Sequence, residues 1–511
     1  MPDGVLTNTQ TRDVEALLHP YTNAVQLRRD GAHVIASGKG VRVTDEQGRS
    51  YIEGMAGLWC CGLGFGDEEL VAAAKAQLDQ LPYYHLFGGR SHEPAIELAE
   101  RIKDLAPGMA RVIYQSSGSE VNETQVKLAW YYNNALGRPE KKKIISRQKG
   151  YHGVTIVSGS LTGLPMNHGD FDLPVDRILH TSSPHYWRSA APGESEAEFV
   201  ARLKADLIAM IDREGAHTIA AFIAEPVMGA GGVIVPPKGY FEAIRPVLAE
   251  NDILMIADEV ICGFGRTGNW FGSDTLNMQP TSMSMAKQLT GGYVPLSAVA
   301  MNADMAEVIE ANTGKIGNFG HGFTYGGHPL GCAVGVAALD IYKSRRILDH
   351  VRAMTPIFQD KLRSYADHPI VGEARGLGLM GALELAPDKT GRASFAPAGK
   401  VGAHLSKELV DRGIILRAIG DSLAFCPPMI ITEAEIEEMF APMEDALNAT
   451  EGWARKEGML KKPAVRRVGP GGRKRKKTTG DSFALFRRTF VPTPILYATD
   501  LPSVADTQIS K

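Results

Sequence analysis

Short apolar runs alternate with stretches of helical periodicity through the middle of the chain. The apolar runs are typical of buried strands and cover residues 112–117, 142–147, 218–226, 253–258 and 282–286. The helical patterns lie between them, at residues 119–133, 196–213 and 240–250. Strands that alternate with helices predict a mostly parallel sheet with right-handed crossovers, and therefore an α/β fold.

The pattern changes on both sides of this stretch. Residues 1–16 show no periodicity and are expected to be mobile, whereas residues 31–52 alternate in the manner of a β-hairpin or meander. Asp67 opens a predicted helix over residues 67–78. Beyond Gly331 the chain predicts a smaller α+β domain, with a β segment at residues 371–385 and helices at residues 332–343, 347–366, 398–412 and 433–449.

Composition indicates an ordinary globular protein, with 44% apolar and 22% charged residues among 511. The five cysteines show no metal-ligand spacing, and their odd number argues against a disulfide framework. The N-terminus lacks the pattern of a signal peptide, and no apolar run approaches the length of a membrane span. We therefore expect a soluble, cytoplasmic protein without a metal ion.

The C-terminal end differs from the rest in charge. Residues 461–511 hold 12 Lys/Arg and 3 Asp/Glu, a net charge of +9, whereas the preceding residues carry −12. The low-complexity run GPGGRKRKKTTG in this tail is typical of disorder. Five consecutive basic residues at 473–477 can bind nucleic-acid phosphates in a salt-dependent manner, or act as a localisation signal. We favour a fusion or frameshift remnant and consider nucleic-acid binding the weaker hypothesis.

One acid and one lysine end two neighbouring predicted strands. Asp258 closes the run at residues 253–258, and Lys287 follows the run at residues 282–286. Chemistry in α/β sheets lies at the carboxyl ends of the strands. A buried lysine can form a Schiff base, and pyridoxal phosphate pairs such a lysine with an acid on its pyridinium nitrogen. For two residues alone, a capping acid and a solvated lysine are the better interpretation.

Four longer motifs favour the cofactor interpretation. They are AEPVMGAGG (224–232), ADEVICGFGRTG (257–268), AKQLTGGYVPLSAV (286–299) and FTYGGHPLGCAV (323–334). In sequence and order they resemble the class III (ω-)aminotransferases, which are fold-type I pyridoxal-phosphate enzymes. The resemblance covers about residues 17–453 and is strongest to the amine:pyruvate and ω-amino-acid:pyruvate group.

The resemblance implies how the chain is divided into domains. A large cofactor-binding domain with a mostly parallel seven-stranded sheet would cover residues 61–325. Residues 1–60 and 326–460 would together form the smaller α+β domain, and residues 461–511 lie outside the resemblance.

The resemblance also implies the residues that bind pyridoxal 5′-phosphate. Lys287 matches the Schiff-base lysine, which moves a proton between Cα and C4′ once it is freed, and Asp258 matches the acid on the ring nitrogen. The other implied cofactor contacts are Gly118, Ser119, Tyr151, Glu225, Val260 and Thr324.

Several of these residues have a specific implied role. Gly118 and Ser119 match the phosphate loop, and Tyr151 matches the aromatic ring that stacks on the cofactor. Glu225 matches an acid that orients groups near the ring, although a strand-end acid that binds nearby backbone is a serious alternative. Thr324 matches a threonine that reaches the phosphate of the other subunit, which implies a homodimer, or a tetramer, with shared sites. The loop reads GSEVNET where the family usually has GSEAND, so its local details are open.

Substrate recognition is implied for residues from separate segments. Arg417 matches an arginine that binds a carboxylate and swings aside for uncharged amines. The implied pocket residues are Tyr21, Leu58, Trp59, Phe87 and Val154, for which a plain core position is an equal alternative. Arg90 adds a charge to which we assign no role.

The activity implied by the resemblance is a transamination. An amino group would pass from an ω-amino acid or primary amine to pyruvate, in a ping-pong cycle through pyridoxamine phosphate. The nearest alternatives on the same scaffold are a decarboxylating transaminase and an aminomutase, because fold-level likeness does not determine the donor.

Overall fold

The computed structural model of the protein describes residues 6–389 and 392–460, which belong to one compact unit. The strands of this part are β1 Ile35–Lys39, β2 Arg42–Asp45, β3 Ser50–Glu53, β4 Met109–Gln115, β5 Lys143–Arg147, β6 Ile178–Thr181, β7 Ile219–Ala224, β8 Leu254–Asp258, β9 Ser282–Met285, β10 Ser297–Asn302, β11 Val371–Leu377, β12 Met380–Leu385, β13 Ile414–Ile415, β14 Arg417–Ile419 and β15 Ser422–Phe425.

Helices and single helical turns connect these strands. They are α1 Asn8–Ala16, α2 Ala24–Asp30, α3 Ala56–Trp59, α4 Glu68–Gln80, α5 Glu93–Leu105, α6 Gly118–Ala135, α7 Ile156–Leu161, α8 Tyr186–Ser189, α9 Glu196–Glu214, α10 Tyr240–Glu250, α11 Gly272–Thr275, α12 Ala303–Ile316, α13 Pro329–Ser344, α14 Ile347–Arg363, α15 Lys400–Asp411, α16 Glu433–Phe440 and α17 Met443–Lys456. Short 3₁₀ turns add to them, one of which begins at Lys287 and ends at Thr290.

A seven-stranded sheet is the main layer, in the order β4-β10-β9-β8-β7-β5-β6. The five strands from β9 to β6 run parallel, and β10 pairs antiparallel with β4 and β9. Every residue of the inner strand β7 is buried, as in a sheet that is covered on both faces. The predicted α/β fold with a mostly parallel seven-stranded sheet is therefore confirmed.

Two strands of this sheet were not predicted. β6 is a four-residue edge strand that contains His180, and β10 consists largely of small residues, with the sequence SAVAMN. Neither has the run of β-branched and aromatic residues by which buried strands are found in a sequence. Their positions therefore depend on pairing with neighbouring strands more than on local pattern.

Helix boundaries follow the sequence closely where a capping residue marks them. α10 has the predicted bounds, and α4 begins directly after Asp67, whose side chain accepts hydrogen bonds from two backbone N–H groups of the first turn. α9 begins after Ser195, which forms a capping box with Glu198.

Two sequence predictions are wrong at the chain ends. Residues 8–16, predicted without regular structure, form α1, because Thr7 and Gln10 make a capping box that periodicity does not show. The helix predicted over residues 433–449 is divided into α16 and α17. Pro442 lies between the two helices. Proline has no backbone N–H, so it cannot continue the helical hydrogen-bond pattern.

Two four-stranded sheets complete this part of the chain, in the orders β1-β2-β3-β13 and β11-β12-β15-β14. In the first sheet, β3 pairs in parallel with β13, so segments about 360 residues apart share one sheet. The second sheet contains the predicted β segment at residues 371–385 as the hairpin of β11 and β12. The division into domains at residues 60, 325 and 460 stays a prediction, and the tail at residues 461–511 lies outside the described residues.

Membrane spans and metal sites are both absent from the described residues. No helix in the described ranges has the length and apolar character of a membrane span. Over the same ranges, no group of three or more His, Cys, Asp or Glu side chains is arranged to hold a metal ion.

Candidate active site

A cavity of about 160 Å³ opens at the carboxyl ends of the central parallel strands. Its lining residues are Gly118, Ser119, Asn122, Tyr151, His152, Gly153, Glu225, Asp258, Val260, Ile261 and Lys287. Asp258 ends β8, Lys287 follows β9, and Glu225 follows β7. The structure thus brings together all the predicted cofactor residues except Thr324, which the sequence placed on another subunit.

Asp258 is buried and held by three hydrogen-bond donors. Its Oδ2 accepts a hydrogen bond from Asn122 Nδ2 at 2.7 Å and lies 2.7 Å from His152 Nδ1. Its Oδ1 accepts from the backbone N–H of Val260 at 3.1 Å. These contacts fix the orientation of the carboxylate, as supporting hydrogen bonds do for other functional groups.

Asn122 and His152 had no role in the sequence interpretation. Asn122 lies four residues after Gly118 and three after Ser119, so these residues share one face of α6. That spacing was the signal in the sequence for Asn122, because a residue on the same face of α6 as Gly118 and Ser119 points toward the same cavity. His152 directly follows Tyr151, but only the fold shows that its ring reaches Asp258.

Lys287 is half-buried and has an unusual backbone conformation, with φ at 48°. For a residue with a side chain, this left-handed region is sparsely populated and costs about 1–3 kcal/mol. Gly291 and Gly292 follow with φ of 60° and 79°, and the N–H of Gly292 donates to the Lys287 carbonyl at 3.1 Å. Such backbone strain is typical of functional sites, where the surrounding structure stabilises the unfavourable conformation.

The first turn of α6 lies at the cavity, where the sequence predicts a phosphate cup. Ser117 caps the helix by accepting from the N–H of Glu120, and Ser119 Oγ accepts from the N–H of Val154 at 3.1 Å. Because a hydroxyl also has a proton to donate, Ser119 stays able to bind an anion in the cup. A methyl group at Gly118 would approach Val260 Cγ1 to 3.2 Å, so this position is closely packed.

The departures from the family loop have a visible structural role. Glu123 Oε2 accepts hydrogen bonds from the Thr155 hydroxyl and, at 3.0 Å, from the N–H of Ser158. This carboxylate therefore links α6 to the start of α7, close to the segment that carries Tyr151. Val121 is fully buried in an apolar cluster. The loop is intact, and Glu123 connects it to its neighbour.

Glu225 binds backbone groups through both of its oxygens. Its Oε1 accepts from the N–H of Tyr151 at 2.9 Å, and its Oε2 accepts from the N–H of Gly229 at 2.8 Å. Burial raises the pKa of Glu225 above its ordinary value. These contacts are those of the strand-end acid considered as the alternative, whereas a direct contact with the cofactor stays a prediction.

Thr324 is exposed and does not line the cavity of its own chain. Its carbonyl accepts a hydrogen bond from the Tyr83 hydroxyl at 2.9 Å. Its role at the site of a second copy stays a prediction.

None of the predicted pocket residues lines the cavity. Tyr21, Leu58, Phe87 and Val154 are exposed, with between 49% and 58% of their surface accessible. Trp59 is 2% exposed and belongs to the same apolar cluster as Ile261, which does line the cavity. Trp59 therefore occupies a core position, and its contact with substrate stays a prediction.

Arg417 begins β14 and lines a second cavity of about 360 Å³ together with Glu53 and Ser406. Within the described part of the chain, its guanidinium forms no hydrogen bond or ion pair, although the residue is half-buried. Burial raises the pKa of Tyr151, a nearby Tyr21 raises it further, and the positive charge of Arg417 opposes this shift. Arg417 therefore lies close to the Tyr151 side of the first cavity.

Comparison with known proteins agrees with this geometry. Residues 26–447 match the aminotransferase class-III family. Over 437 residues, the chain is 48% identical to gamma aminobutyrate transaminase 1, mitochondrial, of Solanum lycopersicum, with 85% of each chain covered. The omega transaminase of Pseudomonas jessenii in complex with PMP is 46% identical, with a TM-score of 0.86 over 91% of this chain and 100% of that chain. A solved transaminase with L-Ala is 51% identical, with a TM-score of 0.81 over 82% and 99% of the two chains.

The chain belongs to the class III aminotransferase family. It is a pyridoxal-phosphate-dependent transaminase, whose two substrates are an amine donor and a 2-oxo acid acceptor. The sequence predictions of the family, the enzyme class and the cofactor are confirmed.

The residues at the first cavity fit pyridoxal phosphate. Lys287 supplies the amine, Asp258 supplies an oriented acid, and the N-terminus of α6 supplies N–H groups for an anion. At Gly153, φ is 131°, and a methyl group would come within 2.6 Å of Ser119 Oγ. Only glycine therefore leaves the serine hydroxyl accessible at this position.

Proposed function

We propose that this transaminase transfers an amino group from an ω-amino acid or a primary amine to pyruvate, by a ping-pong mechanism. The observation that carries the proposal is the half-buried Arg417, which lies near Tyr151 and has no partner among the described residues. An arginine without an acid suits a substrate carboxylate, which it binds with two parallel hydrogen bonds.

The names of the relatives support this choice of substrates. The Solanum protein is called a gamma aminobutyrate transaminase, and γ-aminobutyrate is an ω-amino acid. L-Ala, which accompanies one solved relative, is the amine that corresponds to pyruvate. The exposed apolar side chains of Leu58, Phe87 and Val154 suit a donor that has no charge at that end.

Four residues of this chain carry out the proposed reaction on the cofactor and its substrate. Pyridoxal phosphate, when bound, supplies an electron sink for the carbon that loses its proton. Lys287 would hold the cofactor through its Nζ, and the same amine, once free, would move the proton. Asp258, in the orientation set by its three donors, would hold the ring nitrogen. Ser119 and the N–H groups of α6 would hold the phosphate.

Arg417, the fourth of these residues, acts on the substrate. It binds the acceptor's carboxylate in one half-reaction, because an unpaired buried carboxylate would be costly. It moves aside in the other half-reaction when the donor is uncharged. The wide cavity beside it, lined also by Ser406, leaves room for such a movement.

A panel of amine donors tested with pyruvate examines this function directly. We expect L-alanine to form with a primary amine or an ω-amino acid, and no turnover to occur without pyruvate. Turnover that needs no external acceptor would instead identify an aminomutase. Release of carbon dioxide in proportion to turnover would identify a decarboxylating transaminase.

We also propose that the active enzyme is a homodimer. Thr324 is exposed, lies outside the cavity of its own chain, and follows the pattern of a residue that serves another subunit. Analytical ultracentrifugation of the full chain should give twice the mass of 55.2 kDa. An active monomer would overturn this proposal.

We propose a cytoplasmic location, because all five cysteines of the described structure are free and free cysteines suit a reducing compartment. Three of the five are buried. The Solanum relative is by contrast named as mitochondrial. Subcellular fractionation of the source cells should place the chain with cytoplasmic enzymes, and recovery in an organelle would contradict the proposal.

A further inference from the structure

A buried arginine of β11 binds the turn that follows β7. Arg375 is 8% exposed, and its Nε donates hydrogen bonds to the backbone carbonyls of Gly232 and Val233, at 3.1 Å each. Its Nη2 donates to the Gly232 carbonyl as well. One guanidinium therefore holds two successive carbonyls of this turn, which covers residues 229–233.

The turn leads directly to Glu225. The N–H groups of Gly232 and Val233 both donate to the Gly229 carbonyl at 3.0 Å. The N–H of Gly229 in turn donates to Glu225 Oε2 at 2.8 Å. The other carboxylate oxygen of Glu225 accepts from the N–H of Tyr151 at 2.9 Å, and Tyr151 lines the cofactor cavity. Hydrogen bonds and peptide groups thus join the β11 arginine to the backbone of Tyr151.

The turn has an unfavourable backbone conformation that needs support. Val233 has φ of 53°, a region that a β-branched residue rarely adopts. Gly232 has φ of 114°, and a methyl group there would lie 3.1 Å from Arg375 Nη2. Glycine therefore leaves room for the guanidinium, whose hydrogen bonds to the two carbonyls stabilise the strained conformation at Val233.

Two acids fix the position of the Arg375 guanidinium. Its Nη1 donates to Glu373 and its Nη2 donates to Glu384, at 2.7 Å each. Glu373 also lies 2.9 Å from His185 Nε2. Glu384 also pairs with Arg188, at 2.8 Å. Because each acid has a second partner, the guanidinium cannot leave the turn without breaking buried ion pairs.

We propose that Arg375 is a positioning residue for the cofactor ring. Through the turn it sets the position of Glu225, and through Glu225 it sets the backbone of Tyr151, whose ring is predicted to stack on pyridoxal phosphate. Arg375 does not line the cavity, so it acts only through these groups. The inference rests on the proposed function for the cofactor site, but not for the amine or oxo acid that reacts there.

Arg375→Lys tests this role without removing the buried positive charge. A lysine ammonium lacks the planar fork, so it cannot hold two carbonyls and two acids together. In the holoenzyme, we expect the visible circular dichroism of the cofactor to fall, because an achiral ring gives this signal only when the protein holds it in one orientation. Equilibrium dialysis should show cofactor binding weakened by about 10-fold, the effect of one or two lost hydrogen bonds.

The matched control is Arg188→Lys. Arg188 belongs to the same buried cluster through Glu384, but none of its hydrogen bonds within the described residues reaches the turn. Thermal melting should show that both variants are destabilised, whereas the circular dichroism per bound cofactor should change in Arg375→Lys only. Equal losses of this signal would mean that the cluster acts on the cofactor through stability alone, and would overturn the proposal.

Gly232→Ala breaks the same contact from the side of the turn and keeps every charge of the cluster. It therefore decides the question if Arg375→Lys does not fold. We expect the same loss of circular dichroism, and no further loss in the double variant, because both substitutions remove one contact. An unchanged signal in Gly232→Ala would overturn the proposal.

A rescue experiment tests the role of the strained residue. Adding Val233→Gly to Arg375→Lys should restore part of the circular dichroism, because glycine adopts φ of 53° without support. Val233→Ala is the control, since it keeps a Cβ in this region and should restore less. Equal effects of glycine and alanine would contradict the proposal.

Substrate assays separate this inference from the proposed function. If the wild type reacts with neither pyruvate nor the amine panel, then the proposed function fails, while the cofactor signals of the variants still test Arg375. If the wild type reacts, and Arg375→Lys keeps the wild-type cofactor signal and affinity, then the proposed function stands and the positioning role of Arg375 is wrong.

Discussion

The two halves of the candidate site differ in how firmly the protein holds them. In the cofactor half, formed by Asp258, Asn122, His152 and Glu225, the side chains are buried and hydrogen-bonded to the protein. In the proposed substrate half, Tyr21, Leu58, Phe87 and Val154 are exposed, and the Arg417 guanidinium has no partner among the described residues. The protein's own hydrogen bonds thus fix the cofactor half, and we propose that the substrate half adjusts to two different substrates.

The largest expected effect lies in the cofactor half, at Lys287. Lys287→Ala removes both the covalent attachment and the proton-transferring amine, so kcat should fall by at least about 10⁴-fold. The yellow absorbance of the bound cofactor should shift as well. Lys315→Ala, on the exposed end of α12, is the control and should be unaffected. Substantial activity in Lys287→Ala would mean that another group moves the proton.

Asp258→Asn should have the next largest effect. The amide keeps the size of the side chain but cannot stabilise a protonated ring nitrogen, so kcat should fall about 10²-fold to 10³-fold. Stopped-flow absorbance of the amine half-reaction measures this loss, and thermal melting checks that the fold is kept. Near-normal rates would show that Asp258 has a structural role only.

Arg417→Ala should affect one half-reaction only. Charge-assisted hydrogen bonds contribute about 1.5–3 kcal/mol, so pyruvate should react about 10-fold to 100-fold less efficiently. A carboxylate-free amine should be largely spared, because it makes no use of the guanidinium. Equal losses in the two half-reactions would leave Arg417 a structural residue, and Arg90 would be tested next.

Asn122→Ala and His152→Ala should each cost about 10-fold in kcat, because each removes one of the contacts on Asp258 Oδ2. The amine and pyruvate half-reactions should slow together, unlike in Arg417→Ala. Because both partners share one oxygen, the double variant should differ from the sum of the two single effects. If either variant loses activity only for carboxylate substrates, then the division into two halves is wrong.

Deleting residues 462–511 should have the smallest effect. This segment lies beyond residue 447, where the match to the family ends. We expect kcat, the sedimentation profile and the melting temperature to stay close to those of the full chain. An unfolded or inactive product would place the tail within the functional protein.

The same contrast explains what could be predicted from the sequence. Lys287 and Asp258 could be found because they lie within contiguous motifs at strand ends, and α10 because its periodicity and bounds are local. The contact of His152 with Asp258 could not, because it joins segments 106 residues apart and only the parallel order of the strands brings them together.

The substrate half was harder to predict for a further physical reason. Its residues come from separate segments, and the sequence does not say which apolar side chains face a cavity. Trp59 shows this, since the predicted pocket residue is buried in an apolar cluster. Asn167 shows the opposite case, because a residue without any motif holds Tyr21 through a single hydrogen bond.

The central claim is that Lys287 carries the cofactor in a site prepared by the protein fold. Borohydride reduction of the yellow holoenzyme, followed by proteolysis and mass spectrometry, tests it most directly. We predict one pyridoxyl group per chain, on the peptide that contains Lys287. A pyridoxyl group on any other lysine, with Lys287 unmodified, would contradict the account.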